Sequence, residues 1–403
     1  MAKHLLLISF LPPSQGTGSP IILWRHLTQL EAQGWKISII APEQQLRAIA
    51  PFPSTWQVIP LVGRRWWWPP LRQQIPGLLK LRLALWQSDC DRYFRHEKPS
   101  QILTFLCKTP PLLAANLAKS WQVPLSVIIH DQEEFWATSE SDRRWIRRSA
   151  KQVLDRATRI LPVSQELGQA YPLQNPQKCS VLYPISEPIS CGQVEWNPQF
   201  QTHPVIAHAG RLHPFQIPNF QRLAQALQKV NGTLLVVAPK DNPTLVQLMQ
   251  TCPNIQAQEP FEQNRQVVEF LAEKASCILV SYSFSLAEQP WAATSFPSKL
   301  VEFCQLGLPL LILAPPKTAA AAWAEQQQWI GHIDRLDQAQ FTQAVAQLVT
   351  QETWLQMANQ TRQAAATEFD CDRIQAQFES ELMKTALEPS IPSQFSATTY
   401  RTT

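Results

Sequence analysis

The sequence predicts an α/β protein built from two doubly wound domains. Three observations predict it: a length of 403 residues, a strand–loop–helix–strand unit at the amino terminus, and the restart of that unit near residue 204. The length suits two domains of roughly 200 residues each. With 45% hydrophobic and 16% charged residues, the composition is that of a folded chain and not a disordered one.

The first unit opens with Leu5-Leu6-Leu7-Ile8, an apolar run that reads as a buried strand. Pro12 to Ser19 makes a loop containing Gly16 and Gly18. Pro20 then starts a helix with Leu23, Leu27 and Leu30 on one face, ended by Gly34. Lys36 to Ile40 is the next strand, rich in β-branched residues. The second unit repeats this order. Val205-Ile206-Ala207 is a strand running into Gly210-Arg211, Asn219 to Val230 is a helix, Asn231-Gly232 a turn, and Leu234 to Val237 a strand. Further strands are expected at Ser126–Ile129, Ile160–Val163, Cys277–Val280 and Leu308–Leu313. Pro184 to Pro204, with four prolines and little periodicity, reads as the linker. The domain expectations are 1–190, 191–365, a final helix at 366–387 that crosses back to the first domain, and a mobile Ser/Thr/Pro-rich tail at 388–403.

Composition narrows the function. A net charge of +4 is too small to indicate nucleic-acid binding. The eight cysteines form no CxxC pair, which argues against a zinc ribbon. No apolar run reaches 18 residues, and the amino-terminal run lacks a cleavage pattern, so the expectation is a soluble, cytoplasmic protein.

The most informative segment is Thr294-Ser295-Phe296-Pro297-Ser298-Lys299-Leu300-Val301-Glu302, followed by Gly307-Leu308-Pro309. Pro297 favours the first turn of a helix, and Ser295 is a candidate cap. The free N–H groups of such an end, with the helix dipole, attract phosphate. Lys299 in the first turn opposes the dipole unless an anion is bound there. Glu302 lies about one turn on and suits a pair of ribose hydroxyls. The spacing alone is equally compatible with an ordinary capped helix carrying a solvated Lys and Glu. Gly16 and Gly18 are two of only 11 glycines, so that loop either turns tightly or is approached closely by a ligand. His130-Asp131 ends a strand; it is either a structural pair or a ligand site at a strand's carboxyl end.

Ser295 to Pro309 resembles the nucleotide-sugar motif of family 4 glycosyltransferases, a retaining family with the GT-B fold of two Rossmann-like domains facing a cleft. The resemblance runs in order through Gly16-Thr17-Gly18, Ile128-Ile129-His130-Asp131, Ala157 to Glu166 and Ala209-Gly210-Arg211-Leu212, covering most of residues 4–380. It implies a sugar transferred, with retention, from a nucleotide-diphosphate donor to a glycan or lipid-linked acceptor, with no metal or other cofactor. It assigns His130, Arg211 and Glu302 as catalytic. Gly16, Gly18, Gly210, Arg211, Ser295, Ser298, Lys299 and Glu302 become the donor-binding set. Two departures stand out: Thr294 replaces the first of the family's two glutamates, and Gln216 replaces a lysine. They support a rival reading, a catalytically weakened partner or sensor of the same fold. A sugar-nucleotide epimerase is a second rival. A nicotinamide-dependent oxidoreductase is disfavoured, because neither first strand is followed by a full glycine fingerprint.

Asp89-Cys90-Asp91 and Asp370-Cys371-Asp372 match Asp-x-Asp metal sites in form, but both fall in helical patterns away from strand ends. Glu133 and Glu134 read as solvated or acceptor-side. Arg64 to Pro70 with Arg72, Lys80 and Arg82, and Arg143 to Arg148, mix cations with tryptophan. That mixture suits an anionic membrane surface, an acceptor cleft or simple loop packing. A single-stranded nucleic acid fits it less well.

Overall fold

The computed structural model describes residues 3–16, 18–49, 51–61, 76–187 and 195–384. Arg64 to Arg72, the middle of the expected linker and the tail from 385 lie outside the described residues.

Two six-stranded parallel sheets form the scaffold. The first comprises β1 (His4–Ile8), β2 (Lys36–Pro42), β3 (Gln57–Leu61), β4 (Gln101–Phe105), β5 (Leu125–Ile129) and β6 (Arg159–Pro162), in the order β3-β2-β1-β4-β5-β6. The second comprises β7 (Val205–Ala209), β8 (Thr233–Val237), β9 (Ile255–Gln258), β10 (Cys277–Ser281), β11 (Leu310–Leu313) and β12 (His332–Ile333). Its order, β12-β11-β10-β7-β8-β9, repeats that of the first. In each sheet the order reverses beside the first strand, at β1/β4 and β7/β10, and that switch point opens a crevice at the strands' carboxyl ends.

The central strands are mostly apolar because helices cover both faces of a parallel sheet. Every residue of β1, β4, β5, β10 and β11 is buried. The first helix covers Ser19–Ala32, with Pro20 in its first turn. Gly18 precedes it at φ 72° and Gly34 follows at φ 84°, backbone that favours glycine.

The final helix is Cys371–Met383, capped by Asp370, whose side chain accepts from the Arg373 amide at 2.7 Å. It packs on the first half. Gln375 Oε1 lies 2.7 Å from His26 Nδ1, Glu379 accepts from Lys3 and Trp35 at 2.9 Å each, and Phe378 sits 4.3 Å from the His26 ring. The described ends of the expected linker are not loose. Ile185 and Ser186 are buried, with Ser186 Oγ 3.0 Å from Cys371 Sγ, and Trp196 packs edge-on to Trp354. Among the described residues the cysteines are free, and no helix is long and apolar enough to cross a membrane.

Candidate functional site

The site is assembled at the carboxyl ends of β5 and β7. β7 ends at Ala209, and the chain turns through Gly210 at φ 145°. Lys299 explains that glycine: a Cβ on Gly210 would fall 1.2 Å from Lys299 Nζ. The lysine rises from the first turn of the helix Ser298–Cys304 and donates to the Ala209 carbonyl. Burial lowers its pKa to about 8, with Glu302 as a smaller opposing influence. Arg211, next in the loop, is exposed.

The sequence expectation that Ser295 caps this helix is not met. The residue before the helix is Pro297, and no side chain caps it. Ser295 instead lies close enough to Asp131 of the first half to favour its charged form, and its carbonyl accepts from Tyr282 Oη at 3.2 Å. Among the described residues none bonds the Ser298 or Lys299 amide. The helix is only seven residues long, so its dipole is a minor contributor beside the Lys299 charge.

Glu302 is not a free carboxylate. Its Oε1 accepts from Arg25 Nη2 at 2.8 Å and from Asn264 Nδ2. Arg25 comes from helix 19–32, and its Nη1 donates to the Ile185 carbonyl at 3.0 Å. The sequence reading contained neither partner.

His130 follows β5 directly and is buried. Its Nδ1 shares a 2.8 Å hydrogen bond with Ser19 Oγ, and Phe105 packs edge-on at 4.9 Å. Ser19 follows Gly18, so the glycine loop and His130 are linked. Burial, then the nearby His26, lowers the His130 pKa to about 3, so the ring is neutral at pH 7. Burial raises the Asp131 pKa, offset in part by the nearby Ser295.

Besides Arg25–Glu302, two hydrogen bonds cross between the halves here: Thr294 Oγ1 donates to Gln132 Oε1 at 3.1 Å, and Ser164 Oγ donates to the Thr294 carbonyl at 2.5 Å. Thr294 therefore sits on the junction of the halves, and Trp136 and Trp291 meet across it at 4.9 Å. Gly18 is tied to His130 through Ser19, and Gly210 lies against Lys299, which shares its helix with Ser298 and Glu302. Arg211, Gly16 and Gly18 are exposed in their loops.

Gln216 is buried. Its Oε1 accepts from the His213 amide and its Nε2 donates to the Ser281 carbonyl, each at 3.0 Å. It is a structural bridge turned into the fold. Glu133 and Glu134 pair with Lys108 and Arg147. In the Asp-x-Asp segments, Asp91 accepts from Trp121 Nε1 at 2.6 Å and Asp370 caps its helix. Among the described residues no group of three or more His, Cys, Asp or Glu is placed to hold a metal ion. In the Arg143–Arg148 segment, Trp145 packs on the core and Arg143 pairs with Glu140.

Two matched Rossmann-like domains meeting at their strands' carboxyl ends define the GT-B fold. Residues 18–178, from the first helix past β6, match the family model of the glycosyl transferase 4-like domain. Among solved structures, Anabaena HepE in complex with UDP matches at TM-score 0.64 and 15% identity, covering 94% of this chain and 99% of that one. A glycosyltransferase from Rickettsia africae matches at TM-score 0.64 and 12% identity, covering 95% and 99%. WaaG, a glycosyltransferase involved in lipopolysaccharide biosynthesis, matches at 0.60 and 14%, covering 95% and 100%. No curated protein matches the sequence.

Proposed function

We propose that the protein is a retaining, metal-independent glycosyltransferase that moves a hexosyl group from a nucleotide-diphosphate sugar to a glycan or lipid-linked acceptor. The observation that carries this reading is the Lys299 ammonium laid over Gly210 at the end of β7, one helical turn from Glu302, with His130 on the opposing sheet. The glycosyl transferase 4-like match of residues 18–178 and the UDP-bound structural relative support it.

Under this reading Lys299 and Arg211 hold the diphosphate and stabilise its charge as the glycosidic bond breaks. Gly210, Ser295 and Ser298 border it. Glu302 accepts from the ribose. Neutral His130, whose Nε2 carries no bond to a described residue, donates or accepts at the transferred sugar. The Gly16–Gly18 loop faces the reacting groups from the first domain. The protein acts in the cytoplasm, at the membrane face where its acceptor is lipid-linked. Turnover continues in excess EDTA; loss of turnover there, restored by Mg²⁺ or Mn²⁺, refutes metal independence.

A panel of nucleotide sugars in a thermal-unfolding assay tests donor binding. A donor at about 100 times its Kd stabilises the fold by ~2.7 kcal/mol. Glu302→Ala abolishes that shift; an unchanged shift refutes the ribose assignment. The rival reading, a nucleotide-sugar-binding partner without turnover, is favoured by Gln216 being committed to the fold and by the uncharged Thr294 at the junction. Release of nucleotide only in the presence of acceptor separates the transferase from that binder. Conversion of the donor sugar without acceptor identifies an epimerase.

A further inference from the structure

We infer that Arg25 is a positioning residue for the nucleotide site: it fixes the Glu302 carboxylate so that one oxygen is left to the ribose, and makes donor recognition depend on the first domain. The inference rests on the proposed role of Glu302.

The two protein donors reaching Glu302, Arg25 Nη2 and Asn264 Nδ2, both converge on Oε1. No described residue bonds Oε2, and the Glu302 side chain keeps 14% of its surface exposed, against 8% for Arg25. One oxygen is therefore anchored and the other is open. A carboxylate held this way presents fixed lone pairs and loses little rotational freedom when hydroxyls bind, which is the physical content of preorganisation.

Arg25 is itself tied down. Its Nη1 donates to the Ile185 carbonyl at 3.0 Å, in the segment that leaves the first sheet, and Glu187 lies 3.5 Å from its Nη2. One planar guanidinium thus spans the first helix, the connecting segment and the second domain's carboxylate. Lysine has no equivalent fork. The arrangement is not explained by stability alone. Arg25 Nε is buried without a partner, and an apolar side chain would seal the same junction without desolvating a charge.

The test uses the full chain and isothermal titration with whichever of UDP, ADP and GDP binds most tightly, and with its 2′-deoxy counterpart. The wild type prefers the ribonucleotide by roughly 10- to 150-fold, the range for a hydrogen bond to a charged group. Arg25→Met lowers this preference to under about threefold and retains binding through the diphosphate; Arg25→Lys gives an intermediate ratio. The Arg25→Met/Glu302→Gln double variant is no less selective than either single variant. A merely structural Arg25 lowers the melting temperature and both affinities together and leaves the ratio at its wild-type value, which overturns the inference. Tighter ribonucleotide binding by Arg25→Met also overturns it, because Arg25 then competes with the ribose. Selectivity lost in Glu302→Gln but kept in both Arg25 variants refutes the role of Arg25 alone. Selectivity kept in Glu302→Gln, or binding of none of the three nucleotides, refutes the ribose assignment itself.

Discussion

Gly210→Ala is the substitution for which the structure gives the clearest expectation. The added Cβ falls 1.2 Å from Lys299 Nζ and 2.7 Å from its Cε, at a backbone φ of 145°. Two costs follow, and they differ in kind. Backbone strain for a non-glycine residue there is about 1–3 kcal/mol. The clash itself is relieved easily, because the lysine tip can swing into solvent and recover its hydration. Its bond to the Ala209 carbonyl is then lost, but little of that shows as stability. The melting temperature therefore falls by roughly 2–4 °C per kcal/mol for a domain of this size, or about 2–12 °C in all. Binding suffers more. If Lys299 contacts the diphosphate, displacing it removes a charge-assisted contact of ~1.5–3 kcal/mol, a 10- to 150-fold loss of affinity. Lys299→Met should lose the same affinity with little loss of stability, since it also removes a desolvated ammonium. Because both changes remove one contact, the double variant binds no more weakly than Lys299→Met alone. Titration with a nucleoside diphosphate measures all three. Gly210→Ala binding within threefold of wild type refutes the assignment of Lys299 to the phosphates.

Burial lowers the Lys299 pKa from 10.5 to about 8, so nucleotide affinity falls as pH rises from 7 to 9.5, and Lys299→Arg flattens that profile. The same shift acts oppositely on folding. Between about 8 and 10.5 the unfolded chain binds more protons, so this group adds stability as pH rises through that window, and its penalty is complete and constant below it. Chemical denaturation from pH 7 to 10.5 of wild type and Lys299→Met isolates that contribution. Gln216→Lys does not restore a phosphate-binding cation. It buries an ammonium where Gln216 now accepts from the His213 amide, costing more than the ~1–3 kcal/mol of a neutral unsatisfied group, read as a lower melting temperature with no gain in donor affinity.

Much of the scaffold was legible because parallel strands covered on both faces leave a plain signal. Leu5 to Ile8, Cys277 to Val280 and Leu310 to Leu313 are apolar runs of strand length, and the structure has strands at each. The missed strands lacked that signal or carried a contrary one. β3 contains Pro60 and β9 reads Ile-Gln-Ala-Gln; both are edge strands, where half the residue surface meets water and proline is tolerated. β12 has only two residues. β4 is central and fully buried, yet its short apolar run is not separable from a helix segment by periodicity.

The site was legible where one segment contains its own chemistry, and illegible where function depends on an encounter between halves. Lys299 and Glu302 stand out because a cation in a first turn and a carboxylate one turn later need explaining from local sequence alone. Arg25 does not stand out: it occupies an ordinary helix, and its partner is 277 positions away. Gln216 and Thr294 show the same limit in reverse. Read against a motif, each is a missing charge. In the fold, Gln216 bridges a turn to the end of β10, and Thr294 bonds Gln132 and Ser164 across the junction. Charge at either position would have to be buried or set against those bonds. The two positions thus serve different ends: Gln216 ties a loop to its own sheet, whereas Thr294 holds the halves together, and under the proposed function the charge for an anionic nucleotide falls to Lys299 and Arg211.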